Sequence, residues 1–600
     1  MQFSRLVAFA TLATCSQVTL GALYSDPSQL PSNTTYDYIV VGSGAGGGVI
    51  ANRLSEDPSV NVLVIEAGGD SEGLLTMSIP FFGPTLTPDS AVDWNFTTIP
   101  QEALYDRTVP YARGHVLGGS TSVNFMVYTR GAKDDFDRWA NYTGDDGWSW
   151  DALMPYILKM ENMTTVTETD KLEPAVHGTT GLLQTSLPEY PLATDAMVLN
   201  ASQELSDEFP YNADYNSGDM IGISWVQYTI QDGQRVSSST AYLHPAVAAR
   251  SNLDILLNTQ VTKVTQTGTD NSTGTPIFRG VTFATSADAT SYALNVTKEV
   301  ILSAGAFQSP QLLLLSGIGN STELSAVGIE AIVDLPGVGQ NMQDHPLLSS
   351  SWSVANSEIT YDDVGQNATL AAELMEEWET EKEGLLVLGP ANQFGWLRIP
   401  DNSSIFETEE DPSAGPTAGH YELIFTDGFV SFAIPTPSTG HYFSMFSNVV
   451  TPASRGSLTL ASSDPFAAPL IDPGLLNSDF DIFCMVEAIK AMQTYATASA
   501  FDGYLLEPYG PFADAVDDAS IEAYARNYTT TVWHATSSCS MAPADSTDGC
   551  LNPDLSVKGT IGLRVVDASA MPYIPSAHTQ APTYILAERA ADIIKAANAL

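Results

Sequence analysis

Two histidines stand near the C-terminal end of a chain that holds only eight. One follows a tryptophan in TVWHATSS, residues 531 to 538; the other lies in IPSAHTQAPTY, residues 574 to 584. Imidazole is the side chain whose proton affinity sits near working pH, so two of them at one site can take a proton and orient the atom that lost it. His534 and His578 are therefore where chemistry is expected. The plain alternative is that both are satisfied packing residues. His177, His244, His345, His420 and His441 carry no such signal and read as structural, although His441 lies in an aromatic loop.

A second chemical signal lies near the other end. YDYIVV, residues 36 to 41, is a short apolar run with β propensity, and Gly42-Ser43-Gly44-Ala45-Gly46-Gly47 follows at once. GVIANRLSE then reads as a helix with Val49, Ile50 and Leu54 on one face, and VNVLVIEAGG, residues 60 to 69, as a second buried strand ending at Glu66. Strand, G-x-G-x-x-G, helix, strand, acidic residue is the order a dinucleotide site needs. Glycines let the backbone turn tightly and approach a pyrophosphate. The helix N-terminus offers unpaired N–H groups and partial positive charge, and Glu66 can accept hydrogen bonds from ribose hydroxyls. No cysteine–histidine cluster has metal spacing, so no metal is expected.

The elements that must carry these groups are less regular. A chain of 600 residues is too long for one core, so at least two domains are expected. Residues 146 to 163 read as a capped helix, 252 to 285 as paired strands, and 298 to 319 as strand, turn, helix. Residues 349 to 533 change texture: an acidic helix, AELMEEWETEKEG, precedes aromatic strands and proline-rich loops. GLRVVDAS reads as a strand entering a turn, and APTYILAERAADIIKAANAL as a helix with Pro582 in its first turn.

Composition narrows the partners. With 23 Lys+Arg against 70 Asp+Glu the formal net charge is −47, and such a surface repels nucleic-acid phosphates and anionic membranes alike. MQFSR followed by LVAFATLATCSQVTLGA has the layout of a secretory signal, cleaved after Gly21 or Ala22. Sequons at Asn33, Asn95, Asn141, Asn162, Asn200, Asn271, Asn295, Asn320, Asn367, Asn402 and Asn527 agree with export. Cys539 and Cys550 bracket a loop short enough to close, and either a disulfide or two thiols fits; Cys484, in an apolar stretch, reads as a buried thiol.

RGHVLGGSTSVNFMVYTRG, residues 113 to 131, resembles the first signature of the glucose–methanol–choline family of flavin oxidoreductases, and GAFQSPQLLLLSGIG, residues 305 to 319, the second. VGQNMQDHP, residues 338 to 346, and residues 565 to 594 also look like family segments, so the resemblance spans about 36 to 596. Within the family the chain looks most like fungal secreted aryl-alcohol oxidases and pyranose dehydrogenases.

The resemblance implies an α/β fold: a Rossmann-like FAD-binding domain joined to an α+β substrate domain with an antiparallel sheet. The implied layout is a signal over 1–22, FAD-binding parts over 36–180, 233–345 and 534–600, the last with both histidines, and substrate parts over 181–232 and 346–533. Gly42, Gly44 and Gly47 would cradle the pyrophosphate, Glu66 the ribose, and Val261 the adenine. Gly118, Gly119, Ser120, Asn124 and Val127 would line the flavin, with Asp567 close by. His534 matches the catalytic histidine, His578 the second active-site position, and Tyr111 an active-site tyrosine. Trp533 must lie near the reacting centre, and Phe425, Phe429, Phe432, Tyr442 and Phe443 could supply a lid.

There are departures. His115 stands where the family usually has arginine or lysine, and Ala535 where relatives often have proline or glycine. Val123 occupies the position through which some relatives attach the flavin, so noncovalent FAD is expected.

The implied reaction is oxidation of an aromatic or allylic primary alcohol to an aldehyde, with O2 as acceptor giving H2O2. A sugar dehydrogenase passing electrons to quinones, or a flavin-containing lyase on the same scaffold, are the alternatives. A nicotinamide dehydrogenase is disfavoured, because only one dinucleotide site is found.

Overall fold

The computed structural model describes residues 21–355 and 359–599. The expected leader lies outside the described residues up to residue 20, as does Cys15. Among the described residues no helix is long and apolar enough to cross a membrane.

Six parallel strands form one sheet, in spatial order Leu23–Tyr24, Leu253–Leu256, Val62–Ile65, Tyr38–Val41, Glu299–Leu302 and Leu563–Val565. Tyr38–Val41 and Val62–Ile65 are buried at every position, the pattern of strands covered on both faces. The helix Ala45–Leu54 follows the first of these, and the C-terminal helix Gln580–Ala597 packs beside it. A buried ion pair joins the two helices, with Arg53 Nη2 2.7 Å from Glu588 Oε1. From Tyr38–Val41 the chain proceeds to one side, to Val62–Ile65, and later returns to the other side at Glu299–Leu302. That reversal is the switch point where open parallel sheets leave a crevice at their carboxyl ends. The sheet also starts earlier than the expected boundary at residue 36. Leu23–Tyr24 adds to its edge because the Ile255 and Leu257 N–H groups donate to the Ala22 and Tyr24 carbonyls.

A second sheet is antiparallel, ordered Gln393–Leu397, Tyr421–Thr426, Tyr442–Val449, Pro346–Val354 and Leu505–Pro508, with Thr530–Thr531 paired to the start of Pro346–Val354. Side chains alternate across it. Leu423, Phe425, Phe443 and Met445 pack against the helix Asp479–Tyr495, whereas Phe394, Ile424 and Phe446 face the other way, onto a cavity. Cys484 is a buried thiol of that helix, and Cys539 and Cys550 are buried free thiols rather than a disulfide.

Candidate active site

The carboxyl ends of the parallel strands and the inner face of the antiparallel sheet enclose a cavity of about 710 Å³. At its sheet end Gly42 has φ +92°, and a Cβ there would stand 2.5 Å from the Ser303 carbonyl oxygen, so only glycine makes this turn. The helix Ala45–Leu54 begins with no side-chain cap, and a Cβ on Gly44 would meet nothing within 4 Å. Unpaired first-turn N–H groups beside open space form an anion cradle. Glu66 lines the same end. Its Oε2 accepts from the Ser43 N–H (3.0 Å) and hydroxyl (2.6 Å), and its Oε1 from the Gly68 N–H (2.8 Å). Burial raises its carboxyl, against those hydrogen bonds. Val261, Gly119, Ser120, Asn124, Val127 and Asp567 also line the cavity. Asp567 accepts from the Gly305 N–H and the Ser309 hydroxyl, which fixes the start of the helix Gly305–Leu315.

Two expected cavity glycines lie behind the wall. A Cβ on Gly47 would sit 2.0 Å from the Gly42 carbonyl oxygen, so this glycine lets the helix pack on the preceding turn and does not touch the cavity. Gly118 is backed by Ser122 and Ser239 and supports the segment that Gly119 presents.

At the other end stand the two histidines, ring centroids 4.6 Å apart at 67°. A bulge projects His534. The pairing runs Pro346 to Thr531 and resumes at Gln343 to Thr536, so Asp344 and His345 oppose four residues, Val532 to Ala535. Trp533 takes φ +63° within it, a left-handed conformation costly for an indole side chain. The bulge is tied down by the His534 N–H donating to Asp344 (2.9 Å), by Thr531 to Asp344, and by the Arg113 guanidinium donating to the Trp533 carbonyl. Burial pushes the Asp344 carboxyl up to about 6. Burial, then the nearby His578, His345 and Arg113, hold His534 well below the usual imidazole range, so it is neutral.

Sequence reasoning left His345 among the structural histidines. Its Nδ1 lies 3.0 Å from Nδ1 of His534, and burial lowers it to about 3. Glu422 was missed altogether. It projects from Tyr421–Thr426 on the cavity face, with Oε1 2.8 Å from His578 Nε2 and Oε2 accepting from Asn448 (2.9 Å). Its signal was present: a carboxylate inside an otherwise apolar strand, YELIFT, needs a polar partner when buried.

Tyr111 does not reach the cavity. It is buried edge-on against Phe307 at 4.8 Å, with Asp344 beside its hydroxyl, so it supports the bulge from behind. Of the proposed lid, Phe429 and Phe432 line the cavity. Phe425 and Phe443 point the other way, against Tyr495 and Phe501, as strand alternation dictates, and Tyr442 stacks edge-on with Tyr509. Trp533 lines the cavity, 4.9 Å from Phe432 and 6.0 Å from Phe125.

Two family models, each described as GMC oxidoreductase, match residues 36–347 and 452–587. The chain belongs to the GMC oxidoreductase family. It is 39% identical to dehydrogenase eriK of Hericium erinaceus over 99% of both chains, and 37% identical to pyranose dehydrogenase 3 of Leucoagaricus meleagris over 98% of both. Among solved structures, an Aspergillus oryzae formate oxidase studied for FAD modification is similar at TM-score 0.86 and 29% identity, over 94% of this chain and 99% of that one. A fungal aryl-alcohol oxidase is similar at TM-score 0.81 and 27% identity, over 94% and 100%. GMC enzymes bind FAD and oxidise CH–OH donors, and this chain is an oxidoreductase of that kind.

The residues present fit FAD. Gly44 opens its cradle to the cavity, and Glu66 Oε1 holds a single protein donor and has capacity left for a ribose hydroxyl. At the far end the helix Gln580–Ala597 begins without a side-chain cap, and Thr579, Gln580 and Thr583 line the wall beside the histidines.

Proposed function

We propose that this chain is a secreted, FAD-dependent enzyme that oxidises a conjugated or aromatic primary alcohol to its aldehyde. The observation that carries this reading is the wall around the histidine pair: Phe125, Phe394, Phe432, Phe446 and Trp533, with Ile424, Leu347 and Val532 between them. Such a surface favours a flat apolar substrate through offset and edge-to-face contacts, about 0.5–1.5 kcal/mol per ring pair beyond burial. It leaves sugar hydroxyls desolvated without partners.

When bound, FAD supplies the acceptor for the hydride leaving the carbinol carbon. The protein's part is to make the hydroxyl a good donor. An alkoxide gives up hydride readily and an alcohol does not, so a neutral base is needed at the oxygen. With the His534 Nδ1–H donated to His345 Nδ1, the His534 Nε2 lone pair is left for the hydroxyl proton. Glu422 accepts from His578 Nε2 and so fixes the imidazole ring beside the substrate oxygen. The uncapped start of Gln580–Ala597 aims partial positive charge at the same region. Val123, on the cavity wall, offers no nucleophile, which supports noncovalent FAD.

A second reading is a sugar dehydrogenase with a quinone-type acceptor, favoured by the relatives whose names are pyranose dehydrogenase and dehydrogenase. Two measurements separate the readings. kcat/KM is expected to be higher for benzylic and allylic alcohols than for glucose, and the reverse order transfers the assignment to sugars. Peroxide yield in air against quinone reduction decides the acceptor, O2 or quinone.

A further inference from the structure

Arg235, on the short strand Gln234–Arg235, is buried with no carboxylate among its described neighbours. Its Nε donates to the Met77 carbonyl (2.8 Å), and Nη1 to the Asn124 carbonyl (2.6 Å), the Asn124 Oδ1 (2.9 Å) and, at 3.5 Å, the Thr121 carbonyl. Nη2 has no hydrogen-bond partner. Every acceptor is neutral. Other buried arginines are answered by carboxylates: Arg53 by Glu588, Arg130 by Glu161, Arg564 by Glu299. In a chain with 70 acidic residues against 23 basic ones, a missing counter-ion is not for want of carboxylates. An unpaired buried charge carries an uncompensated desolvation penalty, and burial alone pushes this guanidinium down to about 9.

The side chain that Arg235 grips is part of the cavity wall. Asn124 faces the cavity and donates its amide to the side-chain carbonyl of Gln580, in the first turn of Gln580–Ala597. Arg235, Asn124 and that helix start thus form one continuous electropositive corner. We infer that Arg235 is a positioning residue whose fixed positive charge, acting from behind Asn124, raises the midpoint potential of the bound flavin. The inference rests on the cofactor placement proposed above. A hydride brings two electrons and one proton to the isoalloxazine, while the hydroxyl proton goes to His534, so the reduced ring holds one net negative charge. A buried cation one side chain away favours that charge, and the missing counter-ion is thereby supplied on reduction.

The test is the midpoint potential of the FAD-loaded enzyme, read anaerobically by equilibration with a reference dye. Arg235→Gln is expected to shift that equilibrium at least tenfold toward oxidised flavin, and Arg235→Lys to stay near the parent. A purely structural role would lower FAD content or melting temperature and leave the potential alone. A second route leaves Arg235 in place. A Cβ on Gly83 would stand 3.4 Å from Arg235 Nη2 and 3.2 Å from the Asn124 carbonyl oxygen, so Gly83→Asp supplies the absent carboxylate and Gly83→Asn is its neutral control. The aspartate should lower the potential and the asparagine should not. An Arg235→Gln enzyme that keeps its flavin at the parent potential overturns the inference, as do equal potentials for the two Gly83 variants if Arg235→Gln fails to load. A parent protein that binds no FAD sinks the cofactor reading itself.

Discussion

His534 and His578 face one another, but different groups hold them from behind: His345 and the Asp344 bulge on one side, Glu422 on the other. That division assigns roles that substitutions can separate. His534→Ala should slow flavin reduction by at least about 10²-fold, the loss expected for a general base, while FAD remains bound. Reduction at the parent rate would remove His534 from that role. His578→Ala should also be slow, and His578→Asn less so, since an amide can still hydrogen bond the substrate oxygen. Glu422→Gln keeps the shape and one hydrogen bond but removes the charge, so kcat should fall more than KM rises; an unchanged kcat would make Glu422 a packing residue. His534 and His578 were legible because the flanking motifs singled them out. His345 and Glu422 were not, because their importance arises from contacts across 189 and 156 positions of chain, which no local spacing encodes.

The elements explain which aromatic residues reach the site. Phe425 and Phe443 read as lid candidates in a sequence of closely spaced rings, yet the period of two sends them to the helix face and leaves Phe394, Ile424 and Phe446 for the cavity. The glycine turn, its two flanking strands and Glu66 were legible, since each follows from runs a few residues long; Leu253–Leu256, expected among paired strands, joins the parallel sheet instead. Register in the antiparallel sheet was not, because a one-residue slip exchanges its two faces. The bulge from Val532 to Ala535 is the element that brings Trp533 into the wall of the proposed substrate pocket. Trp533 is locked in it by a hydrogen bond from its indole N–H to the Pro110 carbonyl (3.1 Å) and by contact with Phe432. Trp533→Ala should therefore lower kcat/KM for a benzylic alcohol and leave that for glucose nearly unchanged. Equal losses on both substrates would mean that the ring only supports the bulge.

At the scale of the whole molecule, the acidic balance meets a buried acidic cluster. Exposed sequons at Asn33, Asn95, Asn141, Asn200, Asn271, Asn295, Asn367, Asn402 and Asn527 lead us to expect a mass loss on glycosidase treatment of protein from a secretory host, and an unchanged mass would remove the export proposal's main support. Asp427 accepts from the Tyr504 hydroxyl (3.0 Å), and its backbone carbonyl accepts from the Tyr361 N–H (2.8 Å). Burial first, then Asp362, Asp195 and Asp363, push its carboxyl up to about 7. A carboxyl raised on folding is protonated more readily in the native state, so its contribution is fully present below the unfolded value near 3.8 and is lost as pH rises through about 7. His345 works in the opposite sense. Lowered to about 3, it favours folding above about 6.5 and ceases to do so as pH falls toward 3. The two trends oppose each other between about pH 4 and 6.5, so the parent's melting curve alone cannot apportion them, and a neutral isostere can. Asp427→Asn keeps an oxygen for Tyr504 and cannot ionise. Its stability relative to the parent should climb between pH 4 and 7 and level off above, with a total gain of a few kcal/mol, since each tenfold change in proton affinity is worth about 1.4 kcal/mol. A difference between Asp427→Asn and parent melting temperatures that stays constant across that range would show that Asp427 does not titrate there.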